Sequence, residues 1–107
     1  MAYLNSREEL PRPRFTIGSV VVEKGIPAKK LVPFRITKIT HDPPDRKGRY
    51  WGTHRYLLEV AFPEDGDHFL NGKTMVEECL LPFNKNVKVL MISAMHSRIE
   101  DIKELMN

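Results

Sequence analysis

The chain has 107 residues, 41% hydrophobic and 29% charged, with a formal net charge of +3. That balance belongs to one globular domain rather than a disordered chain, and at this length roughly 65% of the unfolded surface is expected to be buried around a single core. The longest apolar runs, Val20-Val21-Val22 and Val89-Leu90-Met91-Ile92, fall far short of the ~20 residues a membrane helix needs. Glu8 and Glu9 stand where a signal peptide would carry its apolar stretch, so we expect a soluble, cytoplasmic chain with no membrane partner.

In chain order, residues 1–14 read as an arm. Ser6 and Glu9 have capping-box spacing, but Pro11 and Pro13 stop any helix and favour an extended path from which Arg12 and Arg14 project. Ser19 to Glu23 is β-branched, follows Gly18, and is closed by the turn residues Lys24-Gly25-Ile26-Pro27. Phe34 to Thr40 begins with Phe34 and Ile36 alternating against Arg35 and Thr37; Ile39 then breaks the phase, which predicts a bulge. Tyr56 to Phe62 puts Tyr56, Leu58, Val60 and Phe62 on one face, and Pro63-Glu64-Asp65-Gly66-Asp67 ends it. A fourth strand is expected over Thr74 to Leu81 and a fifth over Val87 to Ile92, with Pro82-Phe83-Asn84-Lys85-Asn86 between them.

After Ile92 the period changes. Met95, Ile99, Ile102 and Met106 recur at helical spacing, with Leu105 beside them and Ser93 or Ser97 as the N-terminal cap. This predicts a C-terminal amphipathic helix of three to four turns. The whole then reads as one mainly β domain: an arm over 1–14, a small antiparallel barrel of about five strands over 15–92, and a helix over 93–107.

The stretch from Phe15 through Gly18, Val20-Val21-Val22 and Gly25, with Val76 to Leu81-Pro82-Phe83 later on, resembles the opening and closing strands of SH3-like small barrels. The KOW type and the small bacterial and phage proteins that begin F-x-x-G-x-V-V are the members it is most similar to. The likeness spans about residues 15–83. It implies an SH3-like barrel fold and a binding role toward RNA, DNA or the transcription and translation machinery. The 41–55 connection and the C-terminal helix depart from the compact motif.

Functional signals concentrate in one place. Residues 45–56, DRKGRYWGTHRY, hold four of the seventeen Lys and Arg, the only Trp and two of the three Tyr. Gly48 and Gly52 make this a long, flexible connection of the kind that often carries function. Arg46, Lys47, Arg49 and Arg55 suit phosphate contacts, and Tyr50 and Trp51 suit stacking on exposed bases. In the competing reading Trp51 folds back onto the sheet and the arginines are its solvated rim. A second basic group, Lys24, Lys29 and Lys30, follows the first strand; if the fold brings both loops to one rim, a continuous cationic surface results. Residues 1–55 carry twelve Lys/Arg against five Asp/Glu, whereas 56–107 carry five against nine, an asymmetry that points the same way.

Other chemistry finds little footing. His41, His54, His68 and His96 share no metal-ligand spacing, and the single Cys79 completes no zinc set and no internal disulfide. With Glu78 beside it, Cys79 is expected to be a packing residue on a strand. Glu64 to His68 lacks the ligand ladder of a calcium loop. No nucleophile elbow or phosphate loop occurs, and Glu77 and Glu78, if on a strand, point to opposite faces. We therefore expect no metal, no cofactor and no catalysis, but a binding module. Its leading partner is nucleic acid, through Arg46, Lys47, Arg49, Tyr50, Trp51, Arg55 and the lysine loop. The alternative is a protein partner or a homodimer formed through the Met95/Ile99/Ile102/Met106 stripe or an edge strand. Exposure of Trp51 and burial of the stripe separate the two.

Overall fold

A computed structural model describes residues 7–94 and 99–105 of the chain. Five strands, β1 (Val20–Glu23), β2 (Phe34–Thr40), β3 (Arg55–Val60), β4 (Thr74–Val76) and β5 (Leu80–Pro82), are followed by helices α1 (Lys85–Ala94) and α2 (Ile99–Glu104). The strands form one antiparallel sheet in the order β4-β3-β2-β1-β5, with β4 and β5 at its two edges. No described helix is long and apolar enough to cross a membrane.

The Val20-Val21-Val22 run is explained by burial on both faces of β1. Val21 joins Phe15, Phe34, Ile36, Tyr56, Leu58, Leu70 and Leu80 in one core. Val20 and Val22 join Leu31, Phe83, Met91, Ile102 and Leu105 in a second core on the opposite face. Successive strand side chains alternate in direction, so a strand between two cores must be apolar at every position. Gly18 supplies the positive φ of 87° that leads into β1. On β2, Phe34 and Ile36 are buried as the alternation predicts, the register shifts between Ile36 and Lys38, and Ile39 packs against the first core. The predicted bulge is there, and it returns Ile39 to the inner face.

Two predicted strands have to be corrected. The stretch Thr74 to Leu81 is not continuous: a 3-10 turn over Glu77–Cys79 separates β4 from β5. Cys79 therefore lies exposed on that turn and is not a strand packing residue. Val87 to Ile92 is not a strand but lies within α1. Its start is set by Asn84, whose Oδ1 accepts the amide of Val87 at 2.9 Å while its carbonyl accepts that of Lys88 at 2.9 Å, which is the N-cap arrangement. The fifth strand is instead Leu80–Pro82, antiparallel to β1. The sheet thus ends at Pro82, and the helical part begins at Lys85, earlier than the boundary expected at residue 93.

Of the predicted helical stripe, Met95 and Met106 lie outside the described residues. Ile99 opens α2, and Ile102 is fully buried in the second core together with Leu105. The Lys88 ammonium donates to the carbonyls of Lys103 and, at 3.2 Å, Leu105, placing a cation at the negative end of α2. This ties α1 to α2 across the face they share.

Candidate nucleic-acid interface

The β2–β3 connection, residues 41–54, is an ordered loop built around Asp45. The backbone first turns tightly: the amide of Gly48 donates to the carbonyl of Asp45 at 2.9 Å, and the amide of Asp45 to that of Arg49 at 2.8 Å, with Gly48 at φ 74°. Asp at the first position and Gly at the fourth is the usual chemistry of such a turn. The Asp45 carboxylate then fills the turn. Its Oδ1 accepts the amides of Lys47 at 2.9 Å and Arg49 at 3.0 Å, and its Oδ2 accepts the indole N–H of Trp51 at 2.7 Å. The indole bond, followed by the Arg49 and Lys47 amides, holds the Asp45 carboxyl below the usual carboxylate range. One side chain thereby fixes both the basic turn and the ring of Trp51, which remains 50% exposed.

The neighbouring segments brace this loop. Arg7 and Tyr50 exchange two backbone hydrogen bonds, Arg7 N–H to the Tyr50 carbonyl at 2.9 Å and Tyr50 N–H to the Arg7 carbonyl at 2.8 Å, so the arm is clasped to the loop. Further along, the amide of Arg14 donates to Glu77 Oε1 at 2.8 Å and the Tyr56 hydroxyl donates to the same oxygen at 2.6 Å. The Tyr56 oxygen also lies 3.3 Å from the Phe15 amide, which donates to it. Burial, and after it the bond to the Glu77 carboxylate, push the Tyr56 hydroxyl up to about 12.

The predicted site residues separate into three groups. Arg46, Lys47 and Trp51 are exposed together at the turn. Arg49, Tyr50 and Arg55 are engaged: Arg49 lies 3.9 Å from Glu8, Arg55 Nε lies 3.5 Å from Asp42 Oδ1, and the half-buried Tyr50 ring meets His41 edge-on at 5.8 Å. Tyr50 is therefore a clasp more than an open stacking platform. Lys29 and Lys30 sit on a 3-10 turn, Ala28–Lys30, that packs against α1, and Lys30 borders a recess with Phe34, His68 and Phe69. That recess lies at the Phe34 end of β2, whereas Arg55 pairs with Thr40 at the other end, about 20 Å away at the usual rise per residue. Lys24 directly follows β1, its amide donating to the Cys79 carbonyl at 2.8 Å.

Several residues that matter here were not singled out by composition. Asp42, Thr53 and Glu78 are these residues, and with the predicted Arg55 they surround a recess of about 240 Å³ against Trp51, Gly52 and Val76. Thr53 Oγ1 donates to Glu78 Oε1 at 2.5 Å, and the Glu77 amide donates to the carbonyl of His54 at 3.2 Å; both bonds dock the 3-10 turn of Glu77–Cys79 onto the loop. His54 is buried beneath, its Nδ1 without a hydrogen-bond partner and its ring 5.9 Å from His41. The Asp-x-x-Gly spacing of Asp45 and Gly48 is a local signal for this turn, whereas the Thr53–Glu78 contact spans 25 residues and leaves no local trace. Among the described residues no three His, Cys, Asp or Glu side chains converge as a metal site would require. No protein-family model matches this sequence, and comparison with curated proteins and with solved structures finds no significant relative.

Proposed function

We propose that this chain is a non-enzymatic binding module that holds single-stranded nucleic acid on its β2–β3 loop. The observation that carries the reading is Trp51: half exposed, fixed by Asp45, and adjacent to the exposed Arg46 and Lys47. An aromatic face held by a hydrogen bond beside exposed cations suits stacking on a base with contact to its phosphates, and neither term demands a particular sequence. The burial of Ile102 within the chain's own core argues in the same direction, because it takes the predicted helical stripe out of contention as an outer surface at that position. For the fold, we propose a partly open small barrel of the SH3-like kind. The return of β5 to pair with β1, and the bulge that bends β2, support it.

The test is a salt series. With Arg46 and Lys47 as the phosphate contacts, log affinity for a short single strand should fall with log salt at a slope of about −1.4, that is about −0.7 for each contact. Arg46→Glu with Lys47→Glu should flatten the slope without moving the thermal midpoint. Trp51→Ala should weaken binding by about 1–3 kcal/mol at unchanged slope. Absence of binding to DNA and RNA at low salt refutes the proposal.

A second reading, contact with a protein partner or a second copy of the chain, is favoured by Val89 and Leu90 of α1, which are 55% and 56% exposed. Adjacent apolar side chains on an outer helix face are the usual material of an interface. A concentration-dependent sedimentation coefficient, abolished by Leu90→Lys, would place that reading first.

A further inference from the structure

The recess beside Trp51 has chemistry of its own, and it is not that of a phosphate site. Its charged rim holds two carboxylates, Asp42 and Glu78, against one guanidinium, Arg55. Asp42 Oδ1 faces Arg55 Nε at 3.5 Å, so the one cation is already neutralised and a phosphate entering here would meet net negative charge. Carboxylates are acceptors only. Thr53 spends its hydroxyl proton on Glu78 Oε1, which orients that carboxylate and leaves its second oxygen to a donor from outside. The recess therefore selects for a group with N–H donors on its edge and an aromatic face toward Trp51.

We propose that this recess receives one unpaired nucleobase with a donor-rich Watson–Crick edge, guanine foremost. The inference rests on the nucleic-acid reading above and adds to it a base preference. Guanine presents N1–H and an N2 amino group side by side, which suits the Glu78 carboxylate: its second oxygen takes one donor, and Oε1, which has two lone pairs, takes the other beside the Thr53 bond. Cytosine and adenine offer a single amino group. Uracil and thymine offer one N–H between two carbonyls, and those carbonyls oppose Asp42 and Glu78. The ring lies against Trp51, as unpaired bases do on aromatic side chains, while the phosphates remain outside at Arg46 and Lys47. Asp45 makes this division possible, because the same carboxylate holds the basic turn through Oδ1 and the indole through Oδ2.

The experiment compares uridine heptamers whose central residue is U, C, A, G or inosine, at one salt concentration, by Trp51 fluorescence and by calorimetry. The G heptamer is expected to bind roughly ten- to a hundredfold more tightly than the U heptamer, and inosine, which lacks the N2 amino group, should lose most of that advantage. Glu78→Gln keeps the side chain's size and can still accept from Thr53 while replacing one acceptor with a donor; it should erase the G-over-U preference, with a thermal melt confirming that the variant is folded. Equal affinity for all five heptamers overturns the base pocket and leaves the loop reading standing. Failure to bind any heptamer at low salt refutes the loop reading and the pocket with it. If an arginine-rich peptide binds instead, and Glu78→Gln abolishes that binding, the recess is a cation site and the proposal falls.

Discussion

Ile102 decides whether the C-terminal helices belong to the fold or to a partner, and its replacement by Ala can be followed quantitatively. Ile102 has no exposed surface and packs with Met91, Val20, Val22, Leu31, Phe83 and Leu105. Truncating a buried isoleucine to alanine removes its transfer energy and leaves a cavity, at a cost of about 2–5 kcal/mol. Unfolding entropy of about 2.1 cal/mol/K per residue gives about 0.22 kcal/mol/K for 107 residues. The melting temperature should therefore drop by roughly 9–22 °C in Ile102→Ala, as read by calorimetry. Ile102→Val, which removes one carbon, should cost only about 0.5–1.5 kcal/mol. Both losses should be independent of protein concentration, because the cavity lies inside one chain. A loss under ~1 kcal/mol for the Ala variant, or a melting temperature that rises with protein concentration and loses that dependence on mutation, would refute the packing described here.

Three further outcomes follow from particular contacts. Tyr56 has its hydroxyl raised from 10.0 to about 12 by folding, so its contribution is complete below pH 10 and is lost as pH rises through about 12; the stability advantage of the wild type over Tyr56→Phe should shrink across that window in pH-dependent denaturant melts. The Asp45 carboxyl is held below its ordinary value, so the loop bonds persist as pH falls past the usual carboxylate range and are lost only below it; Trp51 emission should stay constant from neutral pH to ~4 and shift below that, whereas Asp45→Ala should show the shifted spectrum at neutral pH. Asn84→Ala removes the cap that receives the Val87 amide and should cost about 0.5–2 kcal/mol in urea melts.

The sheet was legible where local pattern and burial coincide. Phe34 and Ile36 against Arg35 and Thr37 announced one buried face of β2, and Ile39, out of phase, announced the bulge that the register shift between Ile36 and Lys38 realises. The error over residues 87–92 has a plain cause. Val87, Val89, Leu90, Met91 and Ile92 are apolar nearly throughout, and in so short a run the helical and strand periods cannot be told apart. The deciding residue was Asn84, a cap placed just after the Pro82 that closes β5, and it outweighs the β-branched composition. The 3-10 turn at Glu77–Cys79 was hidden for a different reason. Its glutamates are held by Tyr56, Thr53 and the Arg14 amide, all distant in sequence, and no local periodicity records a bond of that kind.

The candidate site divides in the same way. Composition located the loop, since Trp51 and its flanking cations are dense in any window, but it gave every cation equal standing. Geometry does not. Asp42 neutralises Arg55 and Glu8 lies near Arg49, while Tyr50 serves the clasp to Arg7, so the part of the loop open to a ligand contracts to Arg46, Lys47 and one face of Trp51. A loop that relied on charge alone would keep its cations clear of carboxylates, because each exposed pair screens the field that attracts a polyanion. Here instead Asp42 and Asp45 of the loop and Glu78 of the docked 3-10 turn stand among them, at a cost in long-range attraction, fixing the indole and lining the recess beside it. That arrangement favours recognition at contact over steering at a distance, which is why the measurement that discriminates the proposed nucleic-acid function is base preference and not the strength of binding.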